Sequence, residues 1–372
     1  MIKKKILFLY GPLGGGGAER VLIDLLNNID YDKYEVDLSL IVNQGILLPE
    51  VPTKVNIIPL WKEYNLYYKI AFRLSIWFGN NFLFRRVLRE KITKQYDAEI
   101  SFLEGIPLKL HALMKTKAKK ITWAHCDLFN FPYEANQFAQ GEELLAYNKM
   151  DAVVCVSNDT LQAFEKRFPT CTSNKIVVYN PIDIAKITRL ANEGKEKSNE
   201  LFTIVSVGRL THQKKMDRVI RLASRFKQEQ IKVHFQIIGD GELKEELLAL
   251  RKKLEVEDVV EFVGFLKNPF SHIKTADMLF LSSAFEGFGL VVCEAMCLGV
   301  PVVSTKTAGP TEIIDNNKYG LLCNHDDESI YSAVKEMMDD TVLRAHYKIV
   351  SYERALDFSV ENTIKQFDTL LQ

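Results

Sequence analysis

The sequence predicts an α/β protein of two domains, each with a parallel sheet covered by helices on both faces. Three observations lead to this prediction. The chain has 372 residues, more than one hydrophobic core usually serves. Short apolar, β-branched runs alternate with longer stretches of helical period. The series of strands then restarts after a turn and a polar stretch, so we place the domain boundary near residues 180–200.

Each predicted strand is a short apolar run, and helical segments lie between most of them. In the first half the strands are 5–10, 36–42, 55–58, 98–102, 120–124, 152–157 and 175–179. In the second half they are 202–207, 233–238, 259–263, 278–281, 300–304 and 320–322. We assign 1–185 and 186–355 to the two domains, with 356–372 as a helix that crosses back to the first. The polar segment 191–200 is predicted to be a linker.

The composition excludes several classes of protein. It is 47% apolar and 26% charged, as in soluble globular chains. The 48 basic and 48 acidic residues cancel, which argues against non-specific nucleic-acid binding. Six cysteines form no C-x-x-C pair, so zinc ribbons and dithiol redox motifs are excluded and reduced thiols are expected. No signal-peptide core or long apolar span is present, and we expect a cytoplasmic chain.

A glycine-rich loop follows the first predicted strand and opens a helix. Gly15, Gly16 and Gly17 could present backbone N–H groups to a phosphate. The loop lacks the Gly-Lys-Ser/Thr ending of a P-loop, and strand two ends in 42–44 (VNQ) without the acidic residue that a dinucleotide site needs. ATP hydrolysis and nicotinamide binding are therefore disfavoured. The alternative is a turn that only connects strand and helix.

Two carboxylates lie eight positions apart in the segment 285–296 (FEGFGLVVCEAM). Glu286 lies at the carboxyl end of a strand, where open α/β sheets bind ligands, and Glu294 about a turn and a half into the next helix. Gly287 and Gly289 leave the helix N-terminus open to a phosphate. A carboxylate there could hold two ribose hydroxyls. The alternative is a strand-to-helix connector followed by a solvated glutamate.

Three cations, Arg209, Lys214 and Lys215, follow the first strand of the second half. Arginine and lysine here could neutralise a diphosphate leaving group without a metal, although a solvated basic loop is the alternative. Gly239 and the Gly264–Phe265 pair end two further strands. We expect them to border the same crevice.

These motifs in this order resemble glycosyltransferase family 4. They are GGAER (16–20), GRL (208–210), IGDGEL (238–243), FVGF (262–265), EGFGLVVCEAM (286–296) and AGPTEII (308–314). The resemblance implies a GT-B fold, in which two Rossmann-like domains face each other across a cleft and the second holds a nucleotide-sugar donor. Two departures are Lys215, where the family often has glycine, and 180–183 (NPID), where many members have NGVD.

The resemblance also assigns roles to individual residues. Glu294 would hold the donor ribose, Glu286 the hydroxyls of the transferred sugar, and Arg209 with Lys214 the diphosphate. The backbone at Phe288, Gly289 and Leu290 would contact sugar and phosphate, and the neighbourhood of Phe265 would frame the base. Whether Lys214 or Lys215 is the phosphate lysine stays open at this point.

The acceptor side of the reaction would involve the first domain. His125 follows a strand, and the resemblance favours a role in contacting the donor sugar or placing the acceptor, although a lone histidine is more often structural. Glu104, which follows the preceding strand, could approach the same region. Retaining transfer in the family requires no enzyme nucleophile. The sequence offers cations and no Asp-x-Asp at the site, so we expect no metal and no cofactor.

The segment 61–96 is basic and aromatic, with eight cations against two acidic residues, a net charge of +6. One interpretation is a helix lying on an anionic membrane surface, at the inner face of the cell membrane, near a lipid-linked acceptor. The other is that the aromatic residues pack into the core beneath a solvated basic face. Stacking of single-stranded nucleic acid is disfavoured by the neutral overall charge.

Together these observations predict a retaining, metal-independent glycosyltransferase of the hexosyltransferase type. We expect a UDP-sugar donor and a glycan or lipid-linked acceptor in cell-surface polysaccharide biosynthesis. Two enzymatic alternatives are a nucleotide-sugar hydrolase and a GT-B enzyme with a small soluble acceptor. A catalytically silent sugar-nucleotide-binding subunit of a membrane complex is the non-enzymatic alternative.

Overall fold

The computed structural model describes residues 2–194 and 201–372, except for the side chains of Tyr133 and Glu134. The chain divides into two compact units. Unit 1 comprises Met1–Pro181 and Val360–Gln372, and unit 2 comprises Ile182–Ser359. The first unit is therefore made from both ends of the chain.

Unit 1 contains a seven-stranded parallel sheet with the order β3-β2-β1-β4-β5-β6-β7. Its strands are β1 Lys4–Tyr10, β2 Tyr34–Val42, β3 Asn56–Trp61, β4 Ala98–Ser101, β5 Lys119–Ala124, β6 Ala152–Cys155 and β7 Asn174–Val177. Its helices are α1 Gly17–Asn28, α2 Leu66–Phe78, α3 Phe82–Lys91, α4 Ile106–Leu113, α5 Glu142–Tyr147, α6 Asn158–Arg167 and the C-terminal α15 Val360–Leu370, with short 3₁₀ helices at Leu48–Glu50 and Tyr133–Gln137.

Unit 2 contains a six-stranded parallel sheet with the order β10-β9-β8-β11-β12-β13. Its strands are β8 Phe202–Val207, β9 Val233–Ile238, β10 Val260–Gly264, β11 Met278–Leu281, β12 Val302–Thr305 and β13 Leu321–Cys323. Its helices are α7 Ile184–Asn192, α8 Met216–Gln228, α9 Lys244–Lys253, α10 Phe270–Thr275, α11 Leu290–Cys297, α12 Ala308–Ile314, α13 Asp327–Asp339 and α14 Thr341–Leu356.

Both sheets are buried on both faces, as parallel sheets usually are. In β1 every residue from Ile6 to Tyr10 is at most 1% exposed. The C-terminal helix α15 covers part of this strand, since the ring of Phe367 stacks on Phe8 with 6.0 Å between centroids. The Lys4 ammonium donates to the Leu371 carbonyl at 2.8 Å. The sheets thus hold their strand ends, and the loops that follow them, in fixed positions.

Each of the thirteen predicted strands corresponds to a strand of the structure, with ends that shift by up to three residues. The unit boundaries fall at 181/182 and 359/360 instead of the predicted 185/186 and 355/356. The reason is that Ile182 pairs with the far end of unit 2: its N–H donates to the Phe358 carbonyl at 2.9 Å, and it forms a bridge with Ser359.

The predicted linker at 191–200 begins too early, because Ala191 is buried within α7. Residues 195–200 of that prediction lie outside the described residues. In the described part of the chain, no helix combines the length and the apolar character needed to cross a bilayer.

Candidate active site

The strand order of unit 2 predicts a ligand crevice at the carboxyl ends of β8 and β11. From β8 the chain proceeds to β9 and β10 on one side, and then returns to β11 on the other side of β8. This reversal is a topological switch point, where open α/β sheets bind ligands. The loops 208–215, after β8, and 282–289, after β11, border the crevice.

A lysine and a carboxylate meet between these two loops. The Lys214 ammonium lies 2.5 Å from Glu286 Oε1, and the Ser283 hydroxyl donates to the same oxygen at 2.6 Å. Their side chains are 19% and 8% exposed, respectively. A charge pair that is partly shielded from water and supported by a hydroxyl is held in one geometry. The structure therefore brings together two predicted site residues that are 72 positions apart in the chain.

Hydrogen bonds to backbone carbonyls also join the two loops. The Ser282 hydroxyl donates to the Lys214 carbonyl at 2.8 Å, and the Ala284 N–H donates to the Gln213 carbonyl at 2.8 Å. The Gln213 side-chain amide donates to the Phe285 carbonyl at 3.0 Å. These hydrogen bonds fix the Lys214–Glu286 pair on rigid supports, as a site that must stabilise developing charge requires.

The three predicted cations have different environments. The Arg209 side chain is exposed and makes no hydrogen bond or ion pair with any residue that the structure describes. Lys215 adopts a left-handed conformation (φ 50°) at the start of α8 and lines a separate cavity of about 400 Å³ with Asp217 and Arg221. Lys214 alone of the two lysines contacts Glu286. The left-handed backbone also explains why glycine suits position 215.

Glycines near the crevice serve mainly to let backbones pack closely. A Cβ added to Gly239, whose φ is 148°, would lie 1.9 Å from the Gly208 carbonyl oxygen. Gly264 has open space around its Cα, and the neighbouring Phe265 is 55% exposed after β10. Gly239 therefore joins the loops after β8 and β9, while Phe265 presents an uncovered aromatic ring.

Helix α11 begins at the glycine-rich turn, as the sequence predicts. Gly289 caps it with φ 89°, and Glu294 lies four residues after the first helical residue, Leu290, about one turn into the helix and not a turn and a half. The Phe288 ring is buried and packs edge-on against Phe358 at 5.4 Å. The Phe288 ring is therefore part of the packing of unit 2, and the predicted contact of its backbone with a ligand stays a prediction.

The glycine loop of unit 1 has a carboxylate at the place predicted for phosphate. α1 starts after Gly16, and a Cβ added to Gly16 would lie 2.2 Å from Glu19 Oε2. The positive end of the helix thus already faces a negative charge, which disfavours a second anion in the same position. A phosphate-binding role for Gly15, Gly16 and Gly17 stays a prediction.

His125 lies at the carboxyl end of β5, beside Glu104. The His125 backbone N–H donates to Glu104 Oε2 at 3.0 Å, and the Cys126 thiol donates to Oε1 at 2.9 Å. Burial lowers the pKa of the imidazole, although the Glu104 charge and a hydrogen bond with the Phe102 backbone act in the opposite direction. The imidazole is therefore neutral at pH 7. Its Nε2 has no hydrogen-bond partner among the described residues.

The hydroxyls that position the charged groups are not among the residues that the sequence predicts. Ser282 and Ser283 hold Lys214 and Glu286, and the buried Thr305 hydroxyl donates to the Ser283 carbonyl at 2.6 Å. Their position directly after the apolar run of β11 was the available signal. Within 2–194 and 201–372, no three His, Cys, Asp or Glu side chains are grouped as in a protein metal site.

Two family models match the chain. "Glycosyltransferase Family 4" matches residues 15–186, and "Glycosyl transferases group 1" matches residues 189–354. Among curated proteins, the N-acetylgalactosamine-N,N'-diacetylbacillosaminyl-diphospho-undecaprenol 4-alpha-N-acetylgalactosaminyltransferase of Campylobacter jejuni is 29% identical, with 96% of each chain covered. The amylovoran biosynthesis glycosyltransferase AmsD of Erwinia amylovora is 23% identical, with 99% of each covered.

Solved structures show the same fold. The Anabaena protein HepE, crystallised with UDP and glucose, superposes with a TM-score of 0.77 at 21% identity, covering 99% of both chains. The sucrose-phosphate synthase of Thermosynechococcus elongatus gives 0.78 at 14% identity, covering 99% of this chain and 98% of the other. With two parallel-sheet units of seven and six strands, the fold is GT-B.

Proposed function

Because the chain belongs to glycosyltransferase family 4, we propose that it transfers a sugar from a UDP-sugar to a lipid-linked glycan, with retention of configuration, in polysaccharide assembly. The name of the Campylobacter relative includes a diphospho-undecaprenol acceptor, and the HepE structure contains UDP. The observation that carries the proposal is the Lys214–Glu286 pair at the switch point of unit 2, with Arg209 on the same loop and without a partner among the described residues.

In this proposal the donor lies at the carboxyl ends of β8 and β11. Arg209 and Lys214 bind the diphosphate, and the N-terminus of α11 adds the positive end of its dipole. Lys214 has three N–H donors, so it can keep Glu286 and still reach a phosphate oxygen. Glu286 accepts hydrogen bonds from hydroxyls of the transferred sugar, and Glu294 from the ribose.

The reaction proceeds on one face of the sugar. The bond between the anomeric carbon and the diphosphate oxygen breaks, a bond to the acceptor hydroxyl oxygen forms on the same face, and the hydroxyl proton passes to a diphosphate oxygen. Negative charge develops on the leaving group, where Arg209 and Lys214 stabilise it. His125, held neutral by burial, can accept or donate one hydrogen bond from the side of the acceptor.

A UDP-release assay tests the proposal. UDP-sugars are screened with lipid-linked and soluble acceptors, and the wild type is compared with Arg209→Ala and Glu294→Ala. Losing a charged group that acts in the transition state costs about 100- to 1,000-fold in rate. Matched controls are Arg189→Ala and Glu353→Ala, exposed charges of unit 2 on other helices. Near-normal turnover by Arg209→Ala or Glu294→Ala would remove the role assigned to that residue.

The same assay separates the alternatives. UDP release without acceptor would indicate a hydrolase, and release with a small soluble acceptor alone would replace the lipid-linked one. UDP binding without turnover on any acceptor would indicate a silent subunit. Because two cations are available for the diphosphate, we expect EDTA to leave the rate within about twofold. Strict dependence on Mg²⁺ or Mn²⁺ would contradict this part of the proposal.

A further inference from the structure

We propose that unit 1 docks on an anionic lipid bilayer through the outer side of α2 and the turn into α3. We call this surface the α2–α3 face and define it by Leu66, Tyr67, Ile70, Trp77, Phe78 and Phe82 with the surrounding cations. Lipid binding is argued from the charge and exposure of the face alone. It deepens the proposed function because a lipid-linked acceptor is presented at such a surface.

Helix α2 is apolar on two opposite sides. Its inner side contains the buried Ala71 and the partly buried Tyr68 and Phe72, which pack on the core formed with Trp61 and Phe84. Its outer side carries large apolar side chains with high exposure, namely Leu66 (73%), Ile70 (43%) and Trp77 (69%). These three lie at spacings of four and seven residues, on one stripe of the helix. A helix that is apolar on both sides has an apolar partner for each side.

The two sides of α2 bear on the two interpretations of the segment 61–96. Tyr68, Phe72 and Phe84 belong to the core, as one interpretation predicts. Trp77, Phe78 and Phe82 stay outside it, as the other predicts. The core interpretation is thus confirmed for the inner side of α2, and the membrane interpretation of its exposed side stays a prediction.

The turn between α2 and α3 forms an apolar wedge. Trp77, Phe78 and Phe82 are 69%, 74% and 59% exposed, on either side of Gly79, which adopts a left-handed conformation (φ 60°). The turn is not loose, because the Ser75 hydroxyl donates to Asn81 Oδ1 at 2.6 Å and the Asn81 amide donates to Glu142 at 2.8 Å. An ordered turn thus holds three aromatic rings in solvent.

Most of the eight cations of the segment 61–96 have no ion-pair partner among the described residues. Lys94 is neutralised by Glu35 and Asp37, and Arg86 by Glu90. The remaining six have no ion-pair partner among the described residues: Lys62, Lys69, Arg73, Arg85, Arg89 and Lys91. Arg73 lies 6.0 Å from the centre of the Trp77 ring. Unpaired cations interleaved with apolar side chains match the charged headgroups and acyl chains of an anionic bilayer.

Positive charge continues beyond α3. A cavity of about 1,010 Å³ in unit 1 is lined by Arg85 together with Lys115, Lys117 and Lys119. These three lysines are exposed and have no acidic partner in the described part of the chain. The basic surface is therefore larger than the segment that the sequence singles out.

A lipid surface fits these features better than a protein partner does. The centres of protein interfaces are depleted of lysine, whereas here the exposed Lys69 lies on α2 between the exposed aromatic residues Tyr67 and Trp77. Tryptophan, with an apolar ring and a polar N–H, is enriched at membrane–water boundaries. A second copy of the chain would bring the same cations together and repel them.

Vesicle binding tests the proposal, and Trp77 is its reporter. The chain has three tryptophans, and Trp61 and Trp123 are buried at 5% and 3% exposure. Wild-type protein is mixed with vesicles of phosphatidylcholine and phosphatidylglycerol (1:1) or of phosphatidylcholine alone. We expect co-sedimentation with the anionic vesicles and a blue shift of the emission. Trp77→Phe should abolish the shift.

Two groups of substitutions separate charge from insertion. Lys69→Gln with Arg73→Gln and Arg89→Gln should weaken binding about 100-fold, since each cation near an anionic surface contributes about fivefold. Phe78→Ser with Phe82→Ser should weaken binding at least tenfold. Val342→Ser with Ile349→Ser, which removes 77%- and 65%-exposed side chains of unit 2, is the matched control and should bind like wild type.

The outcomes that overturn the proposal are distinct from a failure of the proposed function. Lipid docking is refuted if the wild-type protein does not bind anionic vesicles. It is also refuted if binding persists in both groups of substitutions. A dimer in sedimentation that Phe78→Ser with Phe82→Ser dissociates would assign the face to a second copy. Docking variants should still release UDP with a soluble acceptor analogue. A wild type that binds vesicles but transfers no sugar refutes only the proposed function.

Discussion

Lys214 is the residue whose replacement tests the site most directly. Lys214→Met keeps the length of the side chain but removes the charge that lies 2.5 Å from Glu286. Glu286 then keeps the Ser283 hydroxyl as its partner in a position that is 7% exposed. Breaking a fully buried pair costs about 3–5 kcal/mol, and an exposed pair contributes about 0–1 kcal/mol. For this partly shielded pair we expect a loss of about 2–3 kcal/mol.

Thermal unfolding measures the loss. In domains of 150–250 residues each kcal/mol shifts the midpoint by about 2–4 °C, so the transition of unit 2 should fall by about 5–10 °C. The double variant Lys214→Met/Glu286→Gln should lose about 1–2 kcal/mol less than the sum of the two single variants, because the stranded charge is gone. UDP release should fall about 100- to 1,000-fold in Lys214→Met.

Lys215→Met is the matched control, since Lys215 has no ion pair with a described residue. Its stability should change by less than about 0.5 kcal/mol, and its turnover should stay close to that of the wild type. Additive losses in the double variant, or equal turnover in the two single variants, would refute the reasoning from the pair.

Three further predictions concern backbone and buried groups. Lys215→Gly should raise the free energy of unfolding by about 0.5–1 kcal/mol by relieving the left-handed conformation, and chemical denaturation measures it. Gly309→Ala should lower the free energy of unfolding by about 1–3 kcal/mol in the same measurement, because the new Cβ would lie 2.1 Å from the Phe288 carbonyl oxygen. An unchanged denaturation midpoint would contradict this expectation. Burial lowers the pKa of both His111 and His125. Below about pH 6.5 the unfolded chain therefore binds more protons than the folded chain, and the free energy of unfolding falls as the pH decreases. The fall is up to about 1.4 kcal/mol per pH unit for each histidine, until the pH reaches the folded-state pKa of that histidine. Glutamine at either position should flatten the slope between pH 7 and 5.

The sequence predicts the architecture well because parallel strands are locally visible. Runs such as Ile6–Tyr10 are apolar throughout, since both faces of the sheet are covered. The family motifs then locate the strand ends of unit 2 and indicate Glu286 together with either Lys214 or Lys215, of which the structure pairs Lys214 with Glu286. The contact between these two residues depends on the strand order of the sheet, which no local pattern in the sequence predicts.

Other features depend on side-chain packing across the fold. The sequence shows that a glycine-rich loop opens the first helix. It does not show that the Glu19 carboxylate lies against Gly16. The composition of 61–96 predicts both a core and a surface role, and only the orientation of α2 assigns Tyr68 to one and Trp77 to the other. Ser283 follows the apolar run of β11, but that position alone does not tell which charged group its hydroxyl contacts.

The return of α15 to unit 1 has a consequence for synthesis on the ribosome. Phe367 packs against Phe8 and Tyr34, near the opposite end of the chain. Unit 2 is formed by the contiguous residues Ile182–Ser359, whereas unit 1 lacks the helix that covers Phe8 until α15 has left the ribosome. A chain truncated after Ser359 would therefore keep every segment of unit 2 and expose Phe8 and Tyr34 to chaperones.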